Sequence, residues 1–158
     1  MRDLTHLDES GTVRMVDVSQ KPDTERLARA SGVIHMATDT LRAIRDNSLK
    51  KGDVQAVARV AGILAAKRTA ELVPLCHQLP LSDIQIDLTL DDSLPGIRAE
   101  ATVVTAAKTG VEMEAIIAVS VSLITIYDMA KGLDKGMKIG EICLLEKRGG
   151  RSGHYVRP

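Results

Sequence analysis

Two groups of polar side chains bracket one uncharged run, and their residue types suit phosphate and proton-transfer chemistry. Thr109-Gly110-Val111-Glu112-Met113-Glu114 precedes residues 115–127, which carry no charge, and Asp128-Met129-Ala130-Lys131 follows them. If the run is one helix, its rise of about 1.5 Å per residue sets Glu112 roughly 24 Å from Asp128. Polar clusters that far apart cannot share one small-molecule site within a single chain. Either they serve different sites, or a second copy of the chain brings them together.

Other segments carry chemistry of their own. Lys50-Lys51-Gly52-Asp53 stands before an Ala-rich stretch with helical periodicity. Free N–H groups and a helix dipole there would suit phosphate, strengthened by an ammonium; the plain reading is a solvated lysine pair ahead of an Asp N-cap. Leu75-Cys76-His77-Gln78 lies between Pro74 and Pro80. His77 there is either a loop histidine or an acid, base or donor to substrate, since imidazole titrates near neutrality. A metal site with Cys76 is poorly supported, because no further Cys or His is suitably spaced. Glu112 fits the N3 place of a capping box that opens with Thr109, whereas Glu114 has no such structural duty. Asp128 and Lys131, three apart, share a helix face, and such pairs are usually surface ion pairs. Lys147-Arg148-Gly149-Gly150-Arg151-Ser152-Gly153 is basic and has neither Walker nor dinucleotide spacing. It contacts phosphates or is a flexible tail, and Lys21 and Arg26 have the same two readings.

Composition narrows the class. The 158 residues suit one compact domain with a real core. Twenty-one basic and 21 acidic residues cancel, so no overall field draws nucleic acid or membrane, and any anion site must be local. With no Phe, no Trp and two Tyr, the core is aliphatic. The longest apolar run is short for a bilayer and is flanked by acids, and the N-terminus lacks a signal-peptide pattern. Cys76 and Cys143 form no C-x-x-C, which favours free thiols in a reducing cytoplasm.

These groups need elements to position them. The first 30 residues read as loop, apart from a β-leaning run at 13–18. Val33-Ile34-His35-Met36 reads as strand, and 38–46 as a short helix with Thr38 as N-cap. Val54, Val57, Ala58, Ala61, Leu64 and Ala65 form an apolar helical stripe. Ile84, Ile86, Leu88 and Leu90 alternate with polar residues, a turn occupies 92–96, and Ile97, Ala99, Ala101 and Val103 alternate in a hairpin partner. The thirteen uncharged residues exceed the usual strand length, so helix is expected there. Residues 138–146 close as a strand, followed by a flexible Gly-rich tail over 149–158. The order strand, helix, strand, strand, helix, strand predicts one α+β domain of ferredoxin-like split βαβ type, its antiparallel sheet covered by helices on one face. If the other face is apolar, it too needs cover, and self-association would supply it.

Met15-Val16-Asp17-Val18-Ser19, Lys51-Gly52-Asp53-Val54, Ala61-Gly62-Ile63 with Ala66-Lys67-Arg68-Thr69, Pro74-Leu75-Cys76-His77, Lys108-Thr109-Gly110-Val111-Glu112-Met113-Glu114-Ala115 and Ile126-Tyr127-Asp128-Met129-Ala130-Lys131 occur in this order. With these motifs the chain resembles the cyclic pyranopterin monophosphate synthase family of molybdenum cofactor biosynthesis over nearly its whole length. The resemblance implies a homohexamer, a trimer of dimers, with sites between subunits. It implies that (8S)-3′,8-cyclo-7,8-dihydroguanosine 5′-triphosphate becomes cyclic pyranopterin monophosphate with release of pyrophosphate, a phosphorus–oxygen lyase reaction. Matched position by position, Lys51, Asp128 and Lys131 are the catalytic residues. Leu75, Cys76, His77, Glu112, Met113 and Glu114 fall in substrate-binding segments. Ser19, Lys21, Arg26, Lys67 and Lys147 match places that meet the triphosphate or the ring. Gln78 departs from the Pro frequent in the family.

The chemistry is physically coherent. A polyanion needs clustered cations in a chain of zero net charge. Cyclisation has an internal hydroxyl attack the α-phosphorus while pyrophosphate leaves. A lysine crowded by cations has a lowered pKa and moves protons at neutral pH. Of Lys51 and Lys131 one is therefore expected to act as base and the other as acid, the sequence leaving open which, with Asp128 orienting Lys131. No metal is required by the sequence, although Mg²⁺ can accompany the phosphates. Two rivals share the fold: a phosphate-binding module without turnover, and an RNA-binding sheet. The latter needs stacking aromatics, which this chain lacks.

Overall fold

The computed structural model describes residues 11–150 and 153–158. In chain order the elements are β1 (Thr24–His35), α1 (Thr38–Arg45), α2 (Val54–Ala66), α3 (Thr69–Leu72), β2 (Leu81–Asp91), β3 (Gly96–Ala107), α4 (Glu112–Ala130), β4 (Lys138–Arg148) and β5 (Tyr155–Val156). All strand pairings are antiparallel, and the sheet order is β2-β3-β1-β4-β5. The first four positions are the ferredoxin-like order, with β1 and β3 central, and β5 extends one edge.

The uncharged run is indeed a helix. Alpha-4 lies across β1, β3 and β4 with α2 beside it. Its length and apolarity would suffice to cross a bilayer, yet Ala115, Ala118, Val119, Leu123, Ile126 and Ala130 are fully buried in the core. The sheet accepts it because its inward residues are small. Ala30 pairs across Ala101, and Gly32 across Ala99, so a thick helix lies close over the strands. A Cβ on Gly32 would come 2.9 Å from both Leu123 and Val119.

That same smallness hid the first nine residues of β1 from the sequence. The strand starts at Thr24, not Val33, because Ala28, Ala30 and Gly32 lack the β-branched signature of strands. The run at 13–18 yields only an isolated bridge at Val13. Two expected caps are absent. Alpha-1 includes Thr38, its N-cap is Ala37, and the Ala37 N–H is taken by Asp134 Oδ2 at 2.8 Å, 97 residues away. Alpha-4 begins at Glu112 with Val111 as N-cap and no side-chain cap, so the Thr109–Glu112 capping box does not form. Asp53 does cap α2, accepting from the Ala56 N–H at 2.9 Å. The tail is not wholly loose: Tyr155 and Val156 pair with Lys147 and Glu146. Arg151 and Ser152 lie outside the described residues.

The face of the sheet away from the helices does not meet the apolar condition for self-association. Paired across it are Arg29 with Thr102 and Gln85, and Ser31 with Glu100 and Asp87. Arg29 reaches Glu100 at 3.0 Å and Glu146 at 3.4 Å. His154 and Arg148 also bond the Glu146 carboxyl and hold it below the usual range. Exposed apolar side chains gather instead on the helix layer. Val57, Val60 and Leu64 of α2 are each about half exposed, as is Ile124 of α4. The α2 stripe is therefore rotated from its expected position: Val54, Ala58, Gly62 and Ala65 face inward, while Val57 and Leu64 face out. The rotation follows from close helix contact, since Ser122 Oγ donates to the Ala58 carbonyl at 3.1 Å across the α2–α4 seam.

Gly62 makes that seam possible. A Cβ there would press into Ser122 Oγ and Ile86 and lie 2.8 Å from the Ala118 carbonyl. In an open helix Gly→Ala gains up to about 1 kcal/mol, whereas overpacking costs about 1–3 kcal/mol. Gly62→Ala is therefore expected to lower stability in urea unfolding; a gain would show the seam to be looser than drawn.

Candidate active site

Alpha-4 carries polar groups at both ends, and their spacing follows from helix geometry. Glu112 and Asp128 lie on this one unbroken helix, sixteen residues and so about 24 Å apart.

At its C-terminal end Asp128 joins two lysines. Lys131 Nζ lies 2.6 Å from Oδ1, and Lys51 Nζ lies 3.1 Å from Oδ2 and 2.8 Å from the Asp128 carbonyl. The helix turn supplies the first contact, at i, i+3. The loop before α2 supplies the second, with Asp53 closing the helix N-terminus behind it. That terminus is thereby occupied by a carboxylate, so the solvated-pair reading of Lys50-Lys51 holds for Asp53 and fails for Lys51, which is tied to Asp128. Hydrogen bonds from Lys131 and then Lys51 hold the Asp128 carboxyl below its ordinary range. The same bond, with the attraction of the carboxylate, raises Lys131. This reverses the lowering expected from crowded cations: the nearest charge to Lys131 is an anion, and it decides the sign.

At the N-terminal end two cavities adjoin. The first, about 530 Å³, is lined by Lys21, Pro22, Thr24, Arg26, Lys108, Thr109, Gly110, Glu112, Lys147 and Gly150. Its walls are dominated by cations. Arg26 is nearly buried, and its guanidinium donates to the Ala107 and Lys108 carbonyls at 3.3 Å each. Among the described residues no carboxylate reaches it. Gly149 and Gly150 adopt φ +93° and +76° beside this side chain, where a Cβ would collide with the Glu25 carbonyl at Gly149 and with the Arg26 guanidinium at Gly150. Lys147 Nζ meets Glu112 at 3.1 Å, the duty Glu112 has in place of capping. The second cavity, about 410 Å³, shares Lys21, Thr109, Gly110 and Glu112 and adds Val16, Val18, Leu75, Cys76, His77, Leu79, Met113 and Glu114. It is the less charged of the two. His77 Nε2 lies 2.8 Å from the Val16 carbonyl; a carbonyl only accepts, so this nitrogen carries hydrogen. The loop histidine is thus fixed by the N-terminal segment, and the segment by the histidine.

Of the residues expected from sequence, Leu75, Cys76, His77, Glu112, Met113, Glu114, Lys21, Arg26 and Lys147 line these two cavities. Ser19 stands at the rim, its carbonyl accepting from Lys108 Nζ at 2.8 Å. Lys67 caps the end of α2 and faces a smaller crevice behind Glu114 and His77. Neither large cavity includes Lys51, Asp128 or Lys131. Lys108 was overlooked as a site residue. Its place in the Lys-Thr-Gly sequence before α4 was visible, but only the fold of β3 against the 16–21 segment aims it at the cationic cavity. Among the described residues no group of three or more Cys, His, Asp or Glu could hold a metal ion.

With this geometry in view, comparison with known proteins is decisive. The MoaC family profile matches residues 15–150. The chain belongs to the MoaC family. It is 55% identical to a Heliobacterium modesticaldum protein over 157 residues, 99% of each chain. It is 57% identical to a Methylobacterium sp. (strain 4-46) protein over 156 residues, 99% of this chain and 98% of that one. A Cereibacter sphaeroides (strain ATCC 17029) protein is 55% identical over 155 residues, 98% of each. All three are named cyclic pyranopterin monophosphate synthase.

Glu114 is the most perturbed acid of the site. It is 4% exposed, and burial, with repulsion from Glu112, raises it to about 6 against a hydrogen bond from its own N–H. Burial also raises the Cys76 thiol, with a further push from Glu114. A carboxyl raised above its unfolded value is more protonated in the folded state, so stability falls as pH rises from about 4.5 to about 6. The loss is about 2 kcal/mol at 1.36 kcal/mol per unit. Urea unfolding of Glu114→Gln is expected to lose that slope and to exceed the parent by about this amount above pH 7.

Proposed function

We propose that this chain is a cyclic pyranopterin monophosphate synthase, converting (8S)-3′,8-cyclo-7,8-dihydroguanosine 5′-triphosphate to cyclic pyranopterin monophosphate and pyrophosphate as a phosphorus–oxygen lyase. The names of the relatives and the pairing of a cationic cavity with a less charged one support it. One cavity suits three phosphates, the other a purine-derived ring, and the shared wall of Lys21, Thr109, Gly110 and Glu112 suits a ligand that spans both.

The carrying observation is the distance along α4. A substrate in the two cavities cannot touch Lys51, Asp128 and Lys131 of the same chain, some 24 Å away. The reading is therefore that a second copy brings its lysine–aspartate group to these cavities, within a homohexamer built as a trimer of dimers. The half-exposed Val57, Val60, Leu64 and Ile124 give the helix layer apolar area for contacts between copies. In this arrangement Asp128 fixes the Nζ atoms of both lysines for the reacting end of the ligand. Lys131, whose proton is held firmly by Asp128, acts as acid. Lys51, entering the step as the free amine, takes the proton of the hydroxyl that attacks the α-phosphorus, and pyrophosphate leaves toward the cationic wall. Mg²⁺ can travel with the phosphates, and the reaction belongs in the cytoplasm, where Cys76 and Cys143 stay free thiols.

Removing an acid or base costs about 10²–10⁴-fold. Lys51→Ala and Lys131→Ala are each expected to lose that much pyrophosphate release while keeping their assembly. Mixing tests the composite site. Inactive Lys131→Ala and inactive Arg26→Ala proteins, unfolded and reassembled together, should regain activity in about one site in four, because some sites then draw both intact halves from different chains. Two inactive parents whose mixture stays inactive would refute the shared site, and a phosphate-binding module without turnover would release no pyrophosphate from any preparation.

A further inference from the structure

Among the described acids Glu114 stands out because it is buried in a cavity wall with no described cation within ion-pair distance. It occupies the first turn of α4 and faces both the ring-sized cavity and the crevice behind it. The charged and titratable groups around it come from every packed element. Cys76 and His77 face it from the loop between Pro74 and Pro80, and Glu112 from its own helix. Lys21 stands across the cavity on the N-terminal segment, and Lys67 shares the crevice at the end of α2. Lys147 of β4 is engaged with Glu112. Among the described residues none of these cations, nor any other, comes within ion-pair distance of the Glu114 carboxyl.

A bound ligand would shift this group further in one direction. Filling the cavity expels water, which disfavours the charged form of a buried acid, and a triphosphate next door adds negative charge. Both effects favour the neutral carboxyl. A neutral carboxyl also presents one O–H donor and one carbonyl acceptor, matching a ring edge where a carbonyl adjoins an N–H; a carboxylate can only accept. Resting on the reading that this cavity takes a purine-derived ring, we propose that Glu114 holds the ring of the substrate as a neutral carboxylic acid, so that binding takes up a proton at this residue.

The test is calorimetric titration of the assembled protein with GTP, a purine triphosphate without the ring-to-sugar bond of the substrate. Runs in two buffers of different ionisation enthalpy at pH 7.5 report protons taken up on binding. The parent is expected to take up close to one proton more than Glu114→Gln, whose amide keeps both a donor and an acceptor. Inorganic tripolyphosphate, which has no ring, should show no such difference. From pH 6.5 to 7.5 the parent should weaken for GTP by up to about tenfold more than Glu114→Gln, the limit for one linked proton. Equal proton uptake by the two proteins, with GTP bound and pyrophosphate release from the substrate intact in the parent, would overturn the neutral-acid role alone. Failure of the parent to bind GTP while binding tripolyphosphate would overturn the ring-cavity reading and this inference with it.

Discussion

The close seating of α4 is the constraint on which the rest of the molecule depends. The helix is buried between α2 and a sheet whose inward residues are mostly Ala and Gly along its track, so it can neither bend nor shift without collision. Its rigidity turns sequence separation into distance. The acids of the first turn face one set of neighbours and Asp128 another, with a dry core between them. The first-turn acids Glu112 and Glu114 also suit the positive end of the helix dipole, and Lys131 suits the negative end. Asp128, wrongly placed for that dipole, is compensated by two ammonium groups.

Charge is partitioned rather than accumulated. A chain of zero net charge still builds a cationic cavity, because Arg26 is supported by backbone carbonyls and, among the described residues, by no carboxylate, and Lys21 and Lys108 line the same wall. The compensating acids are spent elsewhere, Glu146 and Glu100 on the open face of the sheet and Asp128 at the far end of α4. The neighbouring cavity is built on the opposite plan, with Glu114 buried beside a thiol and a tethered histidine. Two adjacent cavities with opposed electrostatics favour a ligand that is itself divided into a charged and a less charged part.

Much of this was legible in the residues alone. The uncharged run between acids at 112–114 and Asp128 read as helix, and the alternation at 84–90 and 97–103 read as a hairpin, because side-chain period reports a buried face directly. The motif order identified the family, and with it half of the residues that line the two cavities. What misled were local rules overruled from a distance. Thr38 and Thr109 looked like caps, but Asp134 reached across the fold to the Ala37 N–H before α1, and Lys147 drew Glu112 into an ion pair instead of a capping box. The first half of β1 looked like loop, since a strand made of Ala and Gly under a helix carries no strand signature.

The residues by themselves settled the order of the main elements though not α3 or β5, the ferredoxin-like topology, the aliphatic core and the list of polar groups available for chemistry, because each follows from periodicity, composition or motif. Only the tertiary structure decided how those groups are shared out. It put Lys51 on Asp128, raised Lys131 where crowding by cations suggested the reverse, turned Val57 and Leu64 outward, and left Glu114 buried with no cation among the described residues within ion-pair distance. Each outcome depends on which atoms from distant parts of the chain come within a few ångströms, and on how much water they exclude. Neither quantity is encoded in the spacing of residues along the chain.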